Sequence, residues 1–262
     1  MIAIDKGASP MQLAAVSLAK QQEFALLYDA SKLGYDDGSL KFDIGNQYAS
    51  AEVRAALKVR QYNKCCFSEA KFCGDYPNVE HFRPKKRVDS EGKTSVFPGY
   101  YWLAYQWDNL FYCKVLINCS YKRNFFPLME GSDRKLNHHG QEIEHPVLID
   151  PSIENPRDHI HFHLDEPIGI TQRGKENIKL LGLRDSSFEE SRRSLLIVLK
   201  TYKELVEGFL ANGYSADHNM VKPLMDRLID SMKPSAEFSS MAIDFLTGWH
   251  PLELIQAQGE NP

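Results

Sequence analysis

The helical periodicity of the chain is interrupted between Cys65 and Leu128, and this interruption most constrains the fold. Apolar residues on either side recur every three or four positions, as in amphipathic helices. Inside the stretch the pattern breaks into short runs separated by turn-forming pairs such as Gly74-Asp75. The chain is therefore expected to be an α+β protein, in which a predominantly helical body carries a small β-containing insert.

The element pattern can be read in more detail. Helices are predicted at residues 10–33, 50–61, 175–182, 187–211, 216–231 and 235–247. Ser186 and Glu189 have the spacing of a capping box, and Gly182 and Gly213 are expected to end helices. Strands are predicted at 79–82, 110–117, 147–150, 160–164 and 167–171, short helices at 100–105 and 118–124, and loops at 85–94 and 131–141.

The mean charge conceals an uneven distribution. The chain has 262 residues and a formal net charge of −4, which by itself argues against a nucleic-acid enzyme. Residues 60–125, however, contain eleven Lys or Arg against six Asp or Glu, so the insert is basic and the remainder acidic. No signal peptide is visible, and the longest aliphatic run is too short to span a membrane, so a cytoplasmic location is expected.

Three strings in the insert hold the candidate functional residues. They are VEHFRPK at 79–85, WDNL at 107–110 and INCSYK at 117–122. Glu80 could give a divalent cation an oxygen ligand, and the adjacent His81 could take a proton from water. Asn109 could fix the histidine by a hydrogen bond, and Asn118 offers a neutral oxygen ligand. Lys122 follows four residues later, where a regular helix would place it on the same face for contact with a phosphate.

In this order the strings resemble the HNH endonuclease family, whose ββα-metal motif contains His, then Asn, then His or Asn. The eight residues between Asn109 and Asn118 match the usual interval. The longer strings EHFRPK, YYWLAYQWDNL, NCSYKRNFFPL and HPVLIDPSIENPRDHIHF are similar to a narrower group, the PtuB-like nuclease subunits of Septu-type and related retron anti-phage systems. Flanking strings extend the resemblance over most of the chain.

The resemblance implies a domain organisation and a set of site residues. Residues 63–130 would form the ββα-metal (HNH) nuclease core, after an N-terminal helical segment at 1–62. Residues 131–262 would form short strands and a helical region that docks a partner, and one continuous domain is the alternative. The implied catalytic residues are His81, Asn109 and Asn118, the ligands of Mg²⁺ or Mn²⁺ are Glu80 and Asn118, and the nucleic-acid contacts are Arg83, Lys85 and Lys122.

All five cysteines lie in the insert, at positions 65, 66, 73, 113 and 119. Their odd number argues against a disulfide framework. Members of the HNH family often hold a structural zinc with two Cys-x-x-Cys pairs, but the matching positions here include Ser68, Lys114 and Ile117. Because zinc requires donors such as thiolate or imidazole, a structural zinc is not expected. The cysteines are interpreted as the remainder of a lost site, packed with Phe67 and Ile117.

Two groups of histidines lie outside the insert. His159, His161 and His163 alternate, so on a strand they would share one face, which could suit a metal. No other ligand pattern accompanies them, and they are interpreted as structural or surface residues. His138 and His139 fall in a predicted loop and are assigned no function.

The resemblance also implies partners. The chain has no Walker A pattern, so any use of ATP must come from another protein. An ABC/SMC-like ATPase subunit (PtuA-like) is the implied partner, joined in retron systems by a reverse transcriptase and its msDNA, and the substrate would be DNA or tRNA. No membrane partner is implied. Two alternatives stay open: a catalytically degenerate HNH-fold binding or assembly subunit, and a stand-alone restriction-type HNH nuclease.

Overall fold

The computed structural model describes residues 1–74, 76–90 and 93–251. In these ranges helices precede and follow a region of short strands, as an α+β protein requires, so the predicted class is confirmed. The α-helices are α1 (Met11–Ala30), α2 (Lys32–Asp36), α3 (Ala51–Arg60), α4 (Gln172–Leu180), α5 (Ser186–Ala211), α6 (Lys222–Met232) and α7 (Ser239–Leu246). The strands are β1 (Asn78–His81), β2 (Val88–Ser90), β3 (Lys93–Val96), β4 (Leu110–Cys113), β5 (Ile160–His163) and β6 (Glu166–Gly169).

The strands pair in three separate antiparallel ribbons: β1 with β4, β2 with β3, and β5 with β6. In the first ribbon Glu80 lies opposite Phe111, and His81 lies opposite Leu110. Strand β4 is buried along its whole length and leads into a π-helical segment, Leu116–Lys122. Two paired strands followed by one helical segment therefore form the unit that positions the candidate site.

One cluster of buried apolar side chains extends through the described part of the chain. It joins Phe24 of α1, Phe111 of β4, Leu199 of α5 and Met241 of α7. Apolar burial is the main driving force of folding. The helices on both sides of the insert therefore stabilise the ribbon that carries the site. Within the described ranges no helix is both long and apolar enough to cross a membrane.

Two predicted elements of the insert need correction. Residues 85–94 are predicted as a loop, but this range contains β2 and the first residues of β3. Val88 of β2 pairs with Val96 of β3. These strands are polar and short, so their alternating pattern is weak. The strand predicted at 110–117 ends at Cys113, because the backbone turns into the π-helical segment at Leu116.

The predicted strand at 147–150 does not form. Two of its backbone groups instead bond to one side chain of α4, that of Asn177. Ile149 donates its N–H to Asn177 Oδ1 at 3.0 Å, and Asn177 Nδ2 donates to the Val147 carbonyl at 2.8 Å. These residues are buried, and Asn177 satisfies two of the polar groups that a neighbouring strand could otherwise pair, while the Val147 N–H bonds to the Pro127 carbonyl at 3.0 Å.

The ends of the C-terminal helices are partly as predicted. Gly182 and Gly213 both adopt positive φ just beyond α4 and α5, as expected of helix-ending glycines. The capping box is wrong: the N-cap of α5 is Asp185, whose Oδ1 accepts the Ser187 N–H at 3.0 Å. Helix α6 begins at residue 222, six positions later than predicted.

Candidate active site

A cleft of about 640 Å³ is bounded by β1, the loop that follows it and the Leu116–Lys122 segment. Glu80, His81, Lys85 and Asn118 all line this cleft. The structure therefore brings together four of the seven residues that the sequence singled out, although they come from two strings more than 30 positions apart.

His81 is almost fully buried at the end of β1. Its Nε2 lies 2.9 Å from the Ala104 carbonyl oxygen, and its Nδ1 lies 3.1 Å from Lys85 Nζ. Because a carbonyl oxygen only accepts hydrogen bonds, Nε2 carries the proton and Nδ1 the lone pair. The Tyr48 ring packs edge-on, 4.5 Å away between centroids. Burial, together with the charge of Lys85, holds the His81 pKa well below its usual value, so the imidazole is neutral at pH 7.

Glu80 is held by Lys122. Lys122 Nζ donates to Glu80 Oε1 at 2.5 Å and to the His81 carbonyl at 3.0 Å, and the Lys122 side chain has no exposed surface. The structure therefore does not place Lys122 where a phosphate could contact it. The physical reason is the wider π-helical turn, in which Arg123 N–H bonds to the Asn118 carbonyl five residues back. The predicted i, i+4 alignment of residues 118 and 122 on one open face does not hold.

Asn118 lies within the π-helical segment and faces the cleft. Its N–H donates to the Lys114 carbonyl at 3.0 Å, so it is part of a helical turn and not an N-cap. Arg123, which ends the segment, has a φ of 47°, an uncommon conformation for a non-glycine residue, and also lines the cleft.

Asn109 is buried and does not line the cleft. Its Oδ1 accepts the Arg83 N–H at 2.7 Å, while its Nδ2 donates to the carbonyls of Arg83 and Leu103 at 3.1 and 3.2 Å. The amide therefore fixes the backbone immediately after His81. Asn109 can therefore orient His81 only indirectly, by holding the backbone at Arg83. The structure shows no contact between Asn109 and the His81 ring.

Lys6 supports the same region from a distant part of the sequence. Its Nζ donates to the Trp107 carbonyl at 2.5 Å and to the Leu110 carbonyl, on either side of Asn109. The ammonium also lies 4.3 Å from the Trp107 ring centroid and 4.2 Å from that of Phe111. Burial lowers the Lys6 pKa to about 7. No local sequence pattern pointed to this residue.

Arg83 points away from the cleft. Its Nε lies 3.1 Å from Glu144 Oε2, and its guanidinium carbon lies 5.1 Å from the Phe126 ring centroid. It lines a second cavity with Glu144, so the structure does not group it with the other predicted nucleic-acid contacts. The cleft instead contains cations that the residue-by-residue prediction missed: Arg54, Lys86 and Arg123. Lys86 directly follows Lys85, which the sequence singled out, and could have been found, whereas Arg54 comes from α3 and no local sequence pattern points to it.

Three of the five cysteines are buried together. The sulfur atoms of Cys65, Cys66 and Cys113 lie within 4.8 Å of one another, and those of Cys65 and Cys113 are 4.0 Å apart. Among the described residues no histidine, carboxylate or fourth cysteine joins them. Structural zinc sites in proteins are closed by four ligands. The donor set therefore does not complete such a site, and the absence of a structural zinc stays a prediction.

Replacing Asn109 by alanine is expected to destabilise the protein by about 1–3 kcal/mol, because three partly buried backbone groups each lose the hydrogen bond that its amide makes. Urea unfolding followed by circular dichroism measures the change. Asn212→Ala is the matched control: its amide is exposed at the end of α5 and bonds only locally to Gly208. An effect of Asn109→Ala no larger than that of the control would contradict the positioning role.

The fold and the cleft define a class: a mixed helical and stranded protein with a neutral histidine beside a carboxylate in a basic cleft. The chain is 32% identical over 153 residues to the Septu protein PtuB of Bacillus mycoides (strain KBAB4), and the matched residues are 55% of this chain. The chain is thus PtuB-like over the matched residues, which span about half (51%) of the length of that protein. No family model matches the chain.

Proposed function

We propose that the chain is a metal-dependent HNH endonuclease subunit that hydrolyses phosphodiester bonds as the effector of an anti-phage defence complex. The observation that carries the proposal is His81, a neutral imidazole whose one lone pair is directed toward a basic cleft. The relationship to the Septu protein PtuB supports the assignment to defence.

The arrangement of His81 suits a general base. With Nε2 committed to the Ala104 carbonyl, Nδ1 is the atom that accepts a proton from water. The hydroxide then forms a bond to phosphorus, and the bond from phosphorus to the leaving oxygen breaks. A base that is already deprotonated at neutral pH does not have to lose a proton first.

The cleft also contains donors of the kind that the proposed metal prefers. Glu80 supplies a carboxylate and Asn118 an amide oxygen, and hard cations such as Mg²⁺ and Mn²⁺ select oxygen ligands. One Glu80 oxygen is bonded to Lys122, so the other oxygen remains for the cation. When bound, the metal would stabilise negative charge on a phosphate oxygen and on the leaving group.

Basic side chains around the cleft fit a polyanionic substrate. Of the residues that the structure describes, four basic ones line the cleft, Arg54, Lys85, Lys86 and Arg123, against one carboxylate, that of Glu80. Lys85 also affects the proposed base directly. Its ammonium bonds to Nδ1 of His81, the atom whose lone pair would accept the proton. In the proposed reaction this ammonium leaves Nδ1 and pairs with a phosphate of the substrate. Phosphate contacts of this kind hold DNA and RNA alike.

A second candidate function has its own support. In the structure Lys85 covers the lone pair of His81, and Lys122 neutralises Glu80. A cleft with both groups occupied is what a binding or assembly subunit without catalysis would have. Such a subunit would hold nucleic acid through the same basic residues and leave hydrolysis to another protein.

The test uses the full chain, alone and with an ABC/SMC-like ATPase subunit and ATP. Supercoiled plasmid and tRNA are incubated with Mg²⁺ or Mn²⁺, and with EDTA as the control. We expect metal-dependent cleavage that requires the ATPase partner, with EDTA reducing it to background. In a retron system the assay would include the reverse transcriptase and its msDNA.

The other outcomes separate the alternatives. Cleavage at defined DNA sequences without a partner would indicate a stand-alone restriction-type nuclease. Binding of nucleic acid without cleavage, under every combination of metal and partner, would overturn the nuclease proposal in favour of the binding subunit. Cleavage that persists in EDTA would contradict the metal dependence alone.

A further inference from the structure

A cluster of metal-ligand side chains lies outside the cleft. Asp29, near the end of α1, meets His138 and His139 of the loop that precedes residue 146, and their ligand atoms all lie within 4.8 Å of one another. His139 Nε2 is 2.8 Å from Asp29 Oδ1, and His138 Nε2 is 3.6 Å from Asp29 Oδ2. Residues about 110 positions apart in sequence therefore direct two imidazole nitrogens at the two oxygens of one carboxylate.

His138 is held in this orientation by the protein core. Its Nδ1 lies 2.5 Å from the hydroxyl of Tyr101, a side chain with no exposed surface. The Tyr28 ring packs edge-on against the imidazole, 5.8 Å away between centroids. A histidine that ligates a metal through one nitrogen commonly has its other nitrogen fixed by a hydrogen bond. Tyr101 provides that bond, which leaves Nε2 as the atom available to a cation.

The distances suit a cation of zinc size. Ligand bonds of about 2.0–2.2 Å in a tetrahedral site place the donor atoms roughly 3.4 Å apart. The two observed separations, 2.8 and 3.6 Å, lie on either side of this value. His139 is 64% exposed and free to make a small rotation, whereas His138 is only 14% exposed. Two imidazoles and one carboxylate select zinc, copper or nickel, and not magnesium.

We propose that Asp29, His138 and His139 form a binding site for one divalent cation of the zinc class, with a fourth position open to solvent. The site shares no residue with the cleft and does not depend on the proposed nuclease activity. A bound cation would fasten the loop to α1. The same loop carries Glu144, which pairs with Arg83 two residues after His81, so the cation would strengthen one support of the β1 region.

The experiment titrates Zn²⁺ into the metal-free full-length protein by isothermal calorimetry. We expect one site in the wild type, and a loss of affinity of about 100-fold in His139→Ala and in Asp29→Asn. His139 is 64% and Asp29 46% exposed, so the variants should fold, and circular dichroism checks this. Tyr101→Phe keeps the ring but removes the hydroxyl that orients His138, and should weaken binding about 10-fold. His145→Ala, an exposed histidine of the same loop, is the matched control and should bind as the wild type does.

Cobalt substitution separates this site from the three buried cysteines. Co²⁺ bound by nitrogen and oxygen donors lacks the sulfur-to-metal charge-transfer absorption that thiolate ligands produce. A spectrum without that absorption, together with the loss of binding in His139→Ala, supports the proposal. Equal Zn²⁺ affinity in the wild type, His139→Ala and Asp29→Asn would overturn it, as would binding that Cys113→Ser alone abolishes. The two histidines would then only hydrogen-bond to Asp29.

Discussion

His81→Ala is expected to lower the rate of metal-dependent cleavage by about 10²–10⁴-fold, the contribution typical of a positioned general base. Alanine removes both the lone pair at Nδ1 and the hydrogen bond to the Ala104 carbonyl. The measurement is single-turnover cleavage of plasmid by the chain in the presence of an ABC/SMC-like ATPase subunit, as in the proposed assay. The rate of the wild type sets the reference.

Because His81 is buried, the alanine variant could lose its fold as well as its base. His81→Gln addresses this, since its amide can still donate to the Ala104 carbonyl but cannot take up a proton at neutral pH. We expect His81→Gln to unfold at nearly the wild-type urea concentration and to be as inactive as His81→Ala. His163→Ala, an exposed histidine at the end of β5, should retain full activity. Cleavage by His81→Gln at the wild-type rate would exclude His81 as the base.

Glu69→Gln is expected to destabilise the protein by about 3–5 kcal/mol, the cost of removing one partner of a buried ion pair. Glu69 lies in the turn between α3 and β1, and its carboxylate accepts from the Met1 ammonium at 3.0 Å and from Lys64 at 3.4 Å. It also accepts from the Ser239 hydroxyl at 2.8 Å and from the Ser240 N–H at 3.3 Å, at the start of α7. Glutamine keeps the shape but leaves two buried cations without a countercharge.

The same carboxylate predicts how stability depends on pH. Burial alone would raise the Glu69 pKa, but the Met1 ammonium and Lys64 outweigh it and lower the pKa from 4.5 to about 2. A pKa depressed in the folded state contributes stability that is complete above about pH 4.5 and lost as the pH falls toward 2. The contribution of such a shift is roughly 3 kcal/mol. The stability difference between the wild type and Glu69→Gln should therefore shrink below pH 4.5.

Urea unfolding at pH 7, 4 and 3 measures both effects of Glu69→Gln. Glu166→Gln is the matched control, because Glu166 pairs with Arg184 on the surface, where each side chain is 52% exposed. Exposed pairs of this kind contribute at most about 1 kcal/mol. If Glu69→Gln and Glu166→Gln have similar small effects at pH 7, the buried network does not stabilise the fold as described.

The ribbon that carries the site could be predicted from local sequence. The run from Val79 to Phe82 predicts a short strand that contains the histidine, and the structure has β1 one residue earlier, at Asn78–His81. The clustering of Glu80 with His81 follows, since neighbours in sequence stay neighbours in space. The orientation of Lys122 could not be predicted in the same way. It depends on a π-helical turn, and such a turn has no distinct residue pattern in the sequence.

Side-chain contacts between distant segments account for the other differences between the sequence predictions and the structure. Asn177 bonds to the backbone of Val147 and Ile149, where a neighbouring strand was expected. Arg54 reaches the cleft from α3, and Asp29 meets the two loop histidines from α1. Each of these contacts joins residues more than 20 positions apart. Periodicity and spacing report only on residues within one element, so such contacts emerge from tertiary packing.

Lys6 makes the stretch ahead of α1 part of the architecture of the site. Its ammonium binds the two carbonyls on either side of Asn109, and Asn109 in turn fixes the backbone after His81. A chain trimmed to begin at α1 would retain every residue that lines the cleft, yet it would lose this support. The smallest fragment of the protein that would keep the cleft intact is therefore larger than the 63–130 segment.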